Sequence, residues 1–178
     1  RSWERFAIGA NFSSRHWTER MDKYRDLLSY TLDTPRVAHA GIAYKLKPNL
    51  EVTLDYKWLN WRKIGTYGDP IFGGGGFGWK DQHGVKAGIE WVANPKWTFM
   101  AGYAYSNTPI TDDNVFLAAL VPVTIEHHIT AGVSHKINEK HEVHLVGVFA
   151  PKNKLRDTGR GDLFSRLGKG STLESGGV

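Results

Sequence analysis

Histidine is the residue type in this chain with the most evident capacity for chemistry, because the sequence holds eight histidines and no cysteine. Imidazole can ligate a metal or act as a base beside a serine. The strand pattern described below points His128 and His144 to one face, but its register sets His144 opposite Ser134 and His128 opposite Ala150. The two rings are therefore not expected to share a metal. We predict no catalytic residue, no metal site, no cofactor and no enzymatic activity.

Glycine-rich sequence offers a second possibility, phosphate binding. The run Gly73–Gly76 is followed by Phe77 and Gly78. It lacks the Lys-Ser/Thr pair and the following helix of a P-loop, so the run predicts a loop.

An amphipathic segment, Trp17 to Leu32, is the best candidate for a binding surface. Its apolar residues recur every three or four positions between charged residues, which predicts a short helix. Such a helix could merely pack on the rim of the domain, whereas the family resemblance described below implies that this loop helps to line an outer apolar groove. The candidate groove residues, two of them from a later loop, are Trp17, Met21, Tyr24, Leu27, Leu28, Phe116 and Leu117.

The elements that would position these residues are strands, since seven segments alternate apolar and polar residues with a period of two. In one hairpin, pairing Trp91 with Phe99 also pairs Ala87 with Tyr103, so one face is apolar and aromatic. The seven segments are 5–13, 38–46, 50–58, 84–91, 97–106, 125–136 and 142–149.

The connections between segments alternate in length. Short polar turns occur at 47–49, 94–96 and 138–140. The other connections are long, covering 14–34, 64–78, 107–123 and the residues from 152 onward. Short turns on one side and long loops on the other are typical of outer-membrane barrels.

Segment length and aromatic placement favour a membrane barrel over a soluble β-sandwich, whose strands usually have about 5 to 6 residues. Membrane strands need about 9 to 11 residues, and aromatic side chains flank their apolar band. A soluble β-domain with aromatics at the ends of its core remains the alternative. The predicted membrane-interface aromatics are Trp58, Trp61, Trp79, Trp91, Trp97 and Tyr103.

The net charge of +5 does not indicate nucleic-acid binding, because the basic residues form no stripe interleaved with stacking aromatics. A positive surface also suits anionic lipid headgroups. No stretch approaches the roughly 20 consecutive apolar residues of a membrane helix.

Residues 78–152 resemble the C-terminal part of the FadL/TodX (OmpP1-like) family of outer-membrane transporters for long-chain fatty acids and aromatic hydrocarbons. The resemblance rests on Gly78-Trp79-Lys80-Asp81-Gln82, on the 85–91 and 97–103 strands with Thr108-Pro109, and on the strand 127–133. It implies an antiparallel up-and-down transmembrane β-barrel of 14 strands with an N-terminal hatch, of which about seven strands are expected here.

The domain prediction is a partial barrel wall with extracellular loops over 1–152. Residues 153–178 are predicted to be an extracellular loop or disordered tail, with the closing strand missing. The resemblance implies passive passage of long-chain fatty acids or other small hydrophobic compounds through a plugged barrel in the bacterial outer membrane. A general porin and a structural barrel remain alternatives. Expected partners are membrane lipid, lipopolysaccharide and a hydrophobic substrate, with the complete barrel monomeric.

Overall fold

Eight antiparallel strands dominate the computed structural model of the chain, which describes residues 5–19, 31–70, 74–161 and 163–177. Each strand pairs with the next along the chain, giving one sheet in the order β1 to β8. The strands are β1 Phe6–Ser13, β2 Val37–Lys47, β3 Leu50–Leu59, β4 Gln82–Asn94, β5 Trp97–Ser106, β6 His127–Lys136, β7 Glu142–Arg156 and β8 Thr172–Gly177. The predicted all-β, up-and-down topology is confirmed.

The predicted register is also confirmed in the hairpin of β4 and β5. Trp91 pairs with Phe99, and Gly88 pairs with Gly102. The register shifts only next to the turn, between Val92 and Asn94. A slip of one residue would exchange the two faces of both strands, so the alternation in the sequence was sufficient to fix this pairing.

The sheet has one apolar face, and its large side chains are exposed. Leu54, for example, is 48% exposed and Phe149 is 44% exposed. A single register row across seven strands consists of Ile8, Ile42, Leu54, Ala87, Tyr103, Ile129 and Phe149. In water, this much contiguous exposed apolar surface would be costly, so the face is suited to a lipid environment.

The height of the apolar face agrees with that environment. It runs along β3 from Leu50, beside the short turns, to Trp58, beside the long loops. Eight residue steps at about 3.3 Å, tilted by about 45°, rise about 19 Å between these Cα positions. With the terminal side chains added, this approaches the apolar band of about 25 Å in outer-membrane barrels.

The buried core lies among the long loops rather than beneath the sheet. Trp79, Ile110, Val115 and Ala118 are its buried members, and Trp79 is only 5% exposed. Among the described residues, these loops contain the short α-helices α1 Gly65–Gly68, α2 Val115–Ala118 and α3 Leu163–Leu167, together with a 3-10 helix at Trp61–Lys63. We call the loops between β3 and β4, β5 and β6, and β7 and β8 the loop cap. No helix among the described residues is long and apolar enough to cross a membrane.

The predictions for Trp61 and Trp79 as membrane-interface residues are corrected by this core. The ring centroids of these two residues lie 5.4 Å apart, and both rings also contact Tyr67. Trp61 follows the end of β3 and Trp79 precedes β4, so neither side chain is constrained by strand alternation. Both side chains instead turn into the loop cap.

The prediction for residues 153–178 is also corrected. β7 continues to Arg156, and the segment after it contains α3 and β8. β8 pairs with the outer part of β7, from Ala150 to Arg156. Its sequence, Thr172 to Gly177, carries one large apolar side chain, Leu173, so it lacks the alternation that revealed the other strands.

The predicted helix of the first long loop falls mostly on residues outside the described ranges. The described ends of that segment, 17–19 and 31–32, are not helical. An isolated bridge between His16 and Thr34 holds the base of the loop together.

Candidate functional site: the polar face and the loop cap

A charged cluster lies on the polar face of the sheet, opposite the apolar rows. His39 Nε2 lies 3.1 Å from Asp55 Oδ1. Asp55 pairs in register with Lys86, and His39 pairs with Lys57. Gly41 makes the contact possible, because a Cβ at that position would lie 2.1 Å from Asp55 Oδ1.

The polar face of the sheet also contains a hollow beside this charged cluster. The hollow has a volume of about 580 Å³, and its lining includes Lys57, Lys86, His128, Gly102 and Ala104. Thr130 also lines it and packs its hydroxyl over Gly102, where a Cβ would lie 2.8 Å from Thr130 Oγ1. Small residues keep the wall open, while the cationic side chains provide positive charge within it.

Two serine–histidine contacts occur among the described residues, although the sequence predicted no catalytic set. Ser134 Oγ lies 2.7 Å from His144 Nδ1, in the register predicted for this pair. Ser13 Oγ lies 3.1 Å from His16 Nε2. Among the described residues, neither imidazole has a hydrogen bond to a carboxylate, so neither contact extends to a triad. The described residues also contain no group of three or more His, Asp or Glu arranged to hold a metal ion.

A buried carboxylate closes the base of the first long loop. Asp33 is 2% exposed; it accepts hydrogen bonds from Arg15 Nη2 at 2.5 Å and from the backbone N–H of Thr18 at 2.8 Å. Burial alone would raise the pKa of Asp33. The hydrogen bonds from Thr18, Arg15 and Thr31 overcome that effect and lower the pKa to about 2.

A second carboxylate, Asp81, closes the loop between β3 and β4. It accepts hydrogen bonds from the Asn60 side chain at 2.9 Å, from the Arg62 backbone N–H at 3.0 Å and from Trp58 Nε1 at 3.3 Å. The third long loop is tied in the same way, since Glu126 Oε1 accepts the backbone N–H of Thr108 at 2.7 Å.

Asp157 joins the third and fourth loops. Its Oδ2 accepts the backbone N–H groups of Val115 at 3.1 Å and Phe116 at 3.3 Å, at the start of α2. Its Oδ1 accepts the N–H of Gly159 at 2.9 Å and the hydroxyl of Ser165 at 2.5 Å, in α3. With Asp157 only 2% exposed, this network holds α2 and α3 in a fixed arrangement.

The predicted groove residues are only partly described. Trp17 is 73% exposed and Phe116 is 46% exposed, so both present apolar surface outside the core. Met21, Tyr24, Leu27 and Leu28 lie outside the described residues, as does the side chain of Leu117. Whether the first and third loops form one groove therefore stays a prediction.

Four of the predicted interface aromatics lie on the apolar side of the sheet. Trp91, Trp97 and Tyr103 are between 39% and 48% exposed. Trp91 and Trp97 lie beside the short turns, whereas Tyr103 lies nearer the middle of the band. Trp58 lies at the end nearest the long loops.

Two tyrosine–histidine pairs on this face were missed. Tyr56 Oη lies 2.6 Å from His83 Nδ1, and Tyr103 Oη lies 2.6 Å from His127 Nδ1. In both pairs the histidine lies two residues before the register partner of the tyrosine. The parity of His83 and His127 was available in the sequence and could have identified these pairs.

An exposed apolar face, a polar opposite face, short turns at one end and folded loops at the other define the class of the protein. It is part of the wall of an outer-membrane β-barrel. The sequence model of the family described as "Outer membrane protein transport protein (OMPP1/FadL/TodX)" matches residues 11–157. The chain belongs to this family, as its resemblance predicted, and its location is the bacterial outer membrane.

Solved structures share the fold. A FadL homologue from Pseudomonas aeruginosa matches with a TM-score of 0.59 and 13% identity, over 97% of this chain and 46% of that chain. The toluene transporter TodX of P. putida matches with a TM-score of 0.57 and 14% identity, over 87% of this chain and 41% of that chain. The chain thus spans less than half the length of these structures. No curated protein matched it.

Proposed function

We propose that this chain forms part of the wall and outer rim of a channel that carries hydrophobic compounds passively across the outer membrane. Long-chain fatty acids are the substrates that its polar face favours. One observation supports this proposal above the others. The sheet has an apolar face that is suited to lipid, and its opposite face is lined by small side chains and by lysines. The outer part of that wall supplies the hollow of about 580 Å³.

The small residues of the wall support passage of an apolar chain. In one register row the polar face carries Ala7, Ala43, Thr53, Gly88, Gly102, Thr130 and Val148. No long polar side chain projects from this row, so an alkyl chain could slide along it without displacing a hydrogen-bonded group.

The lysines of the wall support a carboxylate as the polar end of the substrate. Within the described residues, neither Lys57 nor Lys86 has a carboxylate within ion-pair distance, whereas Asp55 is held by His39. A mobile anion would find two cationic side chains there, and its charge would be attracted into the channel. Toluene or another uncharged aromatic compound would gain nothing from these lysines.

The membrane partners follow from the same surfaces. The apolar face is proposed to contact outer-membrane lipid, with lipopolysaccharide beside its outer end, and the complete barrel is proposed to be plugged and monomeric. Trp17 and Phe116 are proposed members of an outer capture surface together with Met21, Tyr24, Leu27, Leu28 and Leu117.

The test uses the full-length protein reconstituted in liposomes. Palmitate entry should be faster than in empty liposomes, and the Lys57→Gln/Lys86→Gln variant should slow palmitate entry about tenfold. Toluene entry should be unchanged. Lys96→Gln, at the turn between β4 and β5, is the matched control and should behave as the unmodified protein.

The same preparation separates the alternatives. A general porin would show large ionic conductance in a planar bilayer and would admit sugars. A structural barrel would conduct little and leave palmitate entry at the rate of empty liposomes. Either result would overturn the proposed function.

A further inference from the structure

Three cationic residues, Lys152, Lys154 and Arg156, alternate along the part of β7 that extends beyond its pairing with β6; we call them the basic stripe. All three are exposed, whereas the intervening Asn153 and Leu155 are half-buried. Asn153 Nδ2 donates to a backbone oxygen of the loop cap at 2.8 Å, and Leu155 packs against the core of the cap. The basic stripe therefore points away from the cap.

A β-bulge decides which side of the barrel wall the basic stripe faces. In the pairing of β7 with β8, Ala150 pairs with Gly177 and Asn153 pairs with Ser175, so three steps on β7 match two on β8. Ala150 and Asn153 consequently lie on the same face, although one number is even and the other odd. Ala150 is on the polar face, since it follows Phe149 of the apolar face. The even-numbered residues beyond the bulge thus lie on the lipid side, above Phe149.

Pro151 and Gly176 provide the local reason for this bulge. Proline has no N–H to donate to a neighbouring strand, and within sheets it is confined to edges, strand starts and bulges. Gly176, across from it, has a φ of +123°, and a Cβ there would lie 2.7 Å from the carbonyl oxygen of Pro151. The change of face is therefore encoded by these two residues.

The basic stripe has few carboxylates to neutralise it. Glu174 of β8 lies on the same side, and its Oε1 is 3.2 Å from Lys152 Nζ. Within the described residues, neither Lys154 nor Arg156 has a carboxylate within ion-pair distance. Two of the three cations are thus available to an external anion.

A hollow of about 380 Å³ continues the basic stripe at its outer end. Arg156 and Lys169 line it, together with Asp157. The stem of Lys169 packs over Gly159, where a Cβ would lie 2.6 Å from Lys169 Cγ. Asp157 is 2% exposed and both of its oxygens accept hydrogen bonds, so its charge is already compensated. An anionic group in this hollow would meet two cationic side chains.

The heights of the three cations match the anionic layer of an outer leaflet. Phe149 is the last apolar-face residue in the pairing of β6 with β7. At about 3.3 Å per residue and a tilt of about 45°, Lys152 lies about 7 Å, Lys154 about 12 Å and Arg156 about 16 Å above Phe149. The headgroup layer of a bilayer is about 5–8 Å deep on each side. Lys152 is therefore at the headgroup level, and Lys154 and Arg156 are at the level of sugars that extend above it.

We propose that the basic stripe and Lys169 form a binding site for the phosphate groups of one lipopolysaccharide molecule in the outer leaflet. Its acyl chains lie against the apolar face beside Phe149, and its phosphates bind Lys154, Arg156 and Lys169. This proposal rests on the membrane contacts of the proposed function and names the residues that make one of them. Charge-assisted hydrogen bonds to phosphate supply the affinity, and the acyl chains hold the phosphates at the right height.

The first experiment measures lipopolysaccharide binding to the full-length protein in detergent by native mass spectrometry, with EDTA present to remove bridging divalent cations. The Lys154→Gln/Arg156→Gln/Lys169→Gln variant should bind at least about tenfold less tightly. Hydrogen exchange at the Val115 amide verifies that this variant keeps its cap. The matched control removes three charges beside the short turns and should bind as the unmodified protein does; it is Lys47→Gln/Lys96→Gln/Lys140→Gln. Equal affinity of the first variant and the unmodified protein would overturn the proposal.

Competition identifies the ligand. Lipopolysaccharide without its phosphate groups should bind at least about tenfold less tightly, and phosphatidylglycerol should compete at least about tenfold less well, because it carries one phosphate at the headgroup level only. Equal binding of the dephosphorylated form or equal competition by phosphatidylglycerol would contradict the assignment. Displacement by inorganic phosphate would indicate a site for the free anion and would also contradict it.

Cross-linking in living cells tests which side the site faces. Thr172 is exposed, uncharged and paired in register with Arg156, so it lies on the same side. Under light, Thr172→p-benzoylphenylalanine should give a product that an antibody to lipopolysaccharide recognises. Val148→p-benzoylphenylalanine should not, since Val148 is 57% exposed on the opposite face. Absence of a product at Thr172 would show that the basic stripe does not face the lipid.

Palmitate transport separates this proposal from the proposed function. In liposomes without lipopolysaccharide, the Lys154→Gln/Arg156→Gln/Lys169→Gln variant should transport palmitate at the unmodified rate, because these residues lie outside the channel. Lipopolysaccharide binding that depends on the basic stripe, in a protein that does not transport palmitate, would support the site and reject the proposed function. Palmitate transport in a protein whose lipopolysaccharide binding does not depend on the basic stripe would reject the site alone.

Discussion

Removing the carboxylate of Asp157 should loosen the third and fourth loops together. The carboxylate accepts four hydrogen bonds, two from the start of α2 and two from its own loop. Val115 and Ser165, which supply two of the donors, are each 1% exposed. Water cannot replace the carboxylate at these two donors without the cap opening.

The expected loss of stability of the loop cap in Asp157→Ala follows from those two donors. A buried donor left without a partner costs about 1–3 kcal/mol, so the pair costs about 2–6 kcal/mol. Removing a buried charge recovers part of this, because its desolvation is no longer required. We expect the free energy of cap opening to fall by about 3 kcal/mol, which corresponds to about a hundredfold faster hydrogen exchange.

Asp157→Asn should be milder for a geometric reason. An amide can place its oxygen towards Val115 and Phe116 and its NH₂ towards Ser165, whose hydroxyl can accept as well as donate. Only the N–H of Gly159 then loses its acceptor. The expected cost is about 1–2 kcal/mol, or about tenfold faster exchange.

Hydrogen exchange measured by mass spectrometry on the full-length protein is the appropriate assay, since it reports local opening without requiring reversible unfolding of the barrel. Peptides covering 111–121 and 157–171 should exchange faster together. Asp112→Ala changes an exposed carboxylate in the same loop and should have little effect. If Asp157→Ala and Asp157→Asn both exchange at the unmodified rate, Asp157 does not hold the loops together.

Two further predictions concern the first loop and the polar face. The loop lowers the pKa of Asp33 from 3.8 to about 2, so the ionised carboxylate stabilises the folded loop by about 2 kcal/mol above pH ~4. This stability should be lost as the pH falls towards 2, seen as faster exchange of the Thr18 amide, and Asp33→Asn should lack this acid dependence. Gly41→Ala should displace Asp55 and cost about 1–2 kcal/mol, seen as a lower thermal midpoint, because its Cβ would overlap Oδ1. Gly9→Ala, its register neighbour with open space, is the control; equal midpoints for the two variants would refute the steric argument.

Most of the sheet was predictable from the sequence because alternation and short turns act locally. The pairing of Trp91 with Phe99 needed only the turn at 94–96 and the parity of the apolar residues. β8 was not predictable in this way. It is held by backbone pairing with β7 and by the packing of Leu173 against the cap, so its few side chains show no periodic pattern.

The candidate site was less predictable than the sheet. Asp33, Asp81 and Asp157 are ordinary polar residues near strand ends, and only the folded loops bring donors to them. Trp79 shows the same limitation from the apolar side. Its position next to a strand indicated a membrane interface, but in the folded protein its ring is buried in the core of the loop cap.

The location of that core explains why the carboxylates matter. In an outer-membrane barrel, one face of the sheet is in contact with lipid and the other lines the lumen, so no side of the wall provides a dry interior for the loops. The loops must bury their apolar residues against each other, and this small cluster fixes their shape only with added directional contacts. Buried carboxylates that accept several backbone N–H groups provide these contacts. A rim fixed in this way can present apolar and cationic side chains to water without collapsing onto the membrane. Loss of Asp157 should therefore disturb the outward side chains of α2 and α3 as well as the buried ones, because both helices depend on the same carboxylate.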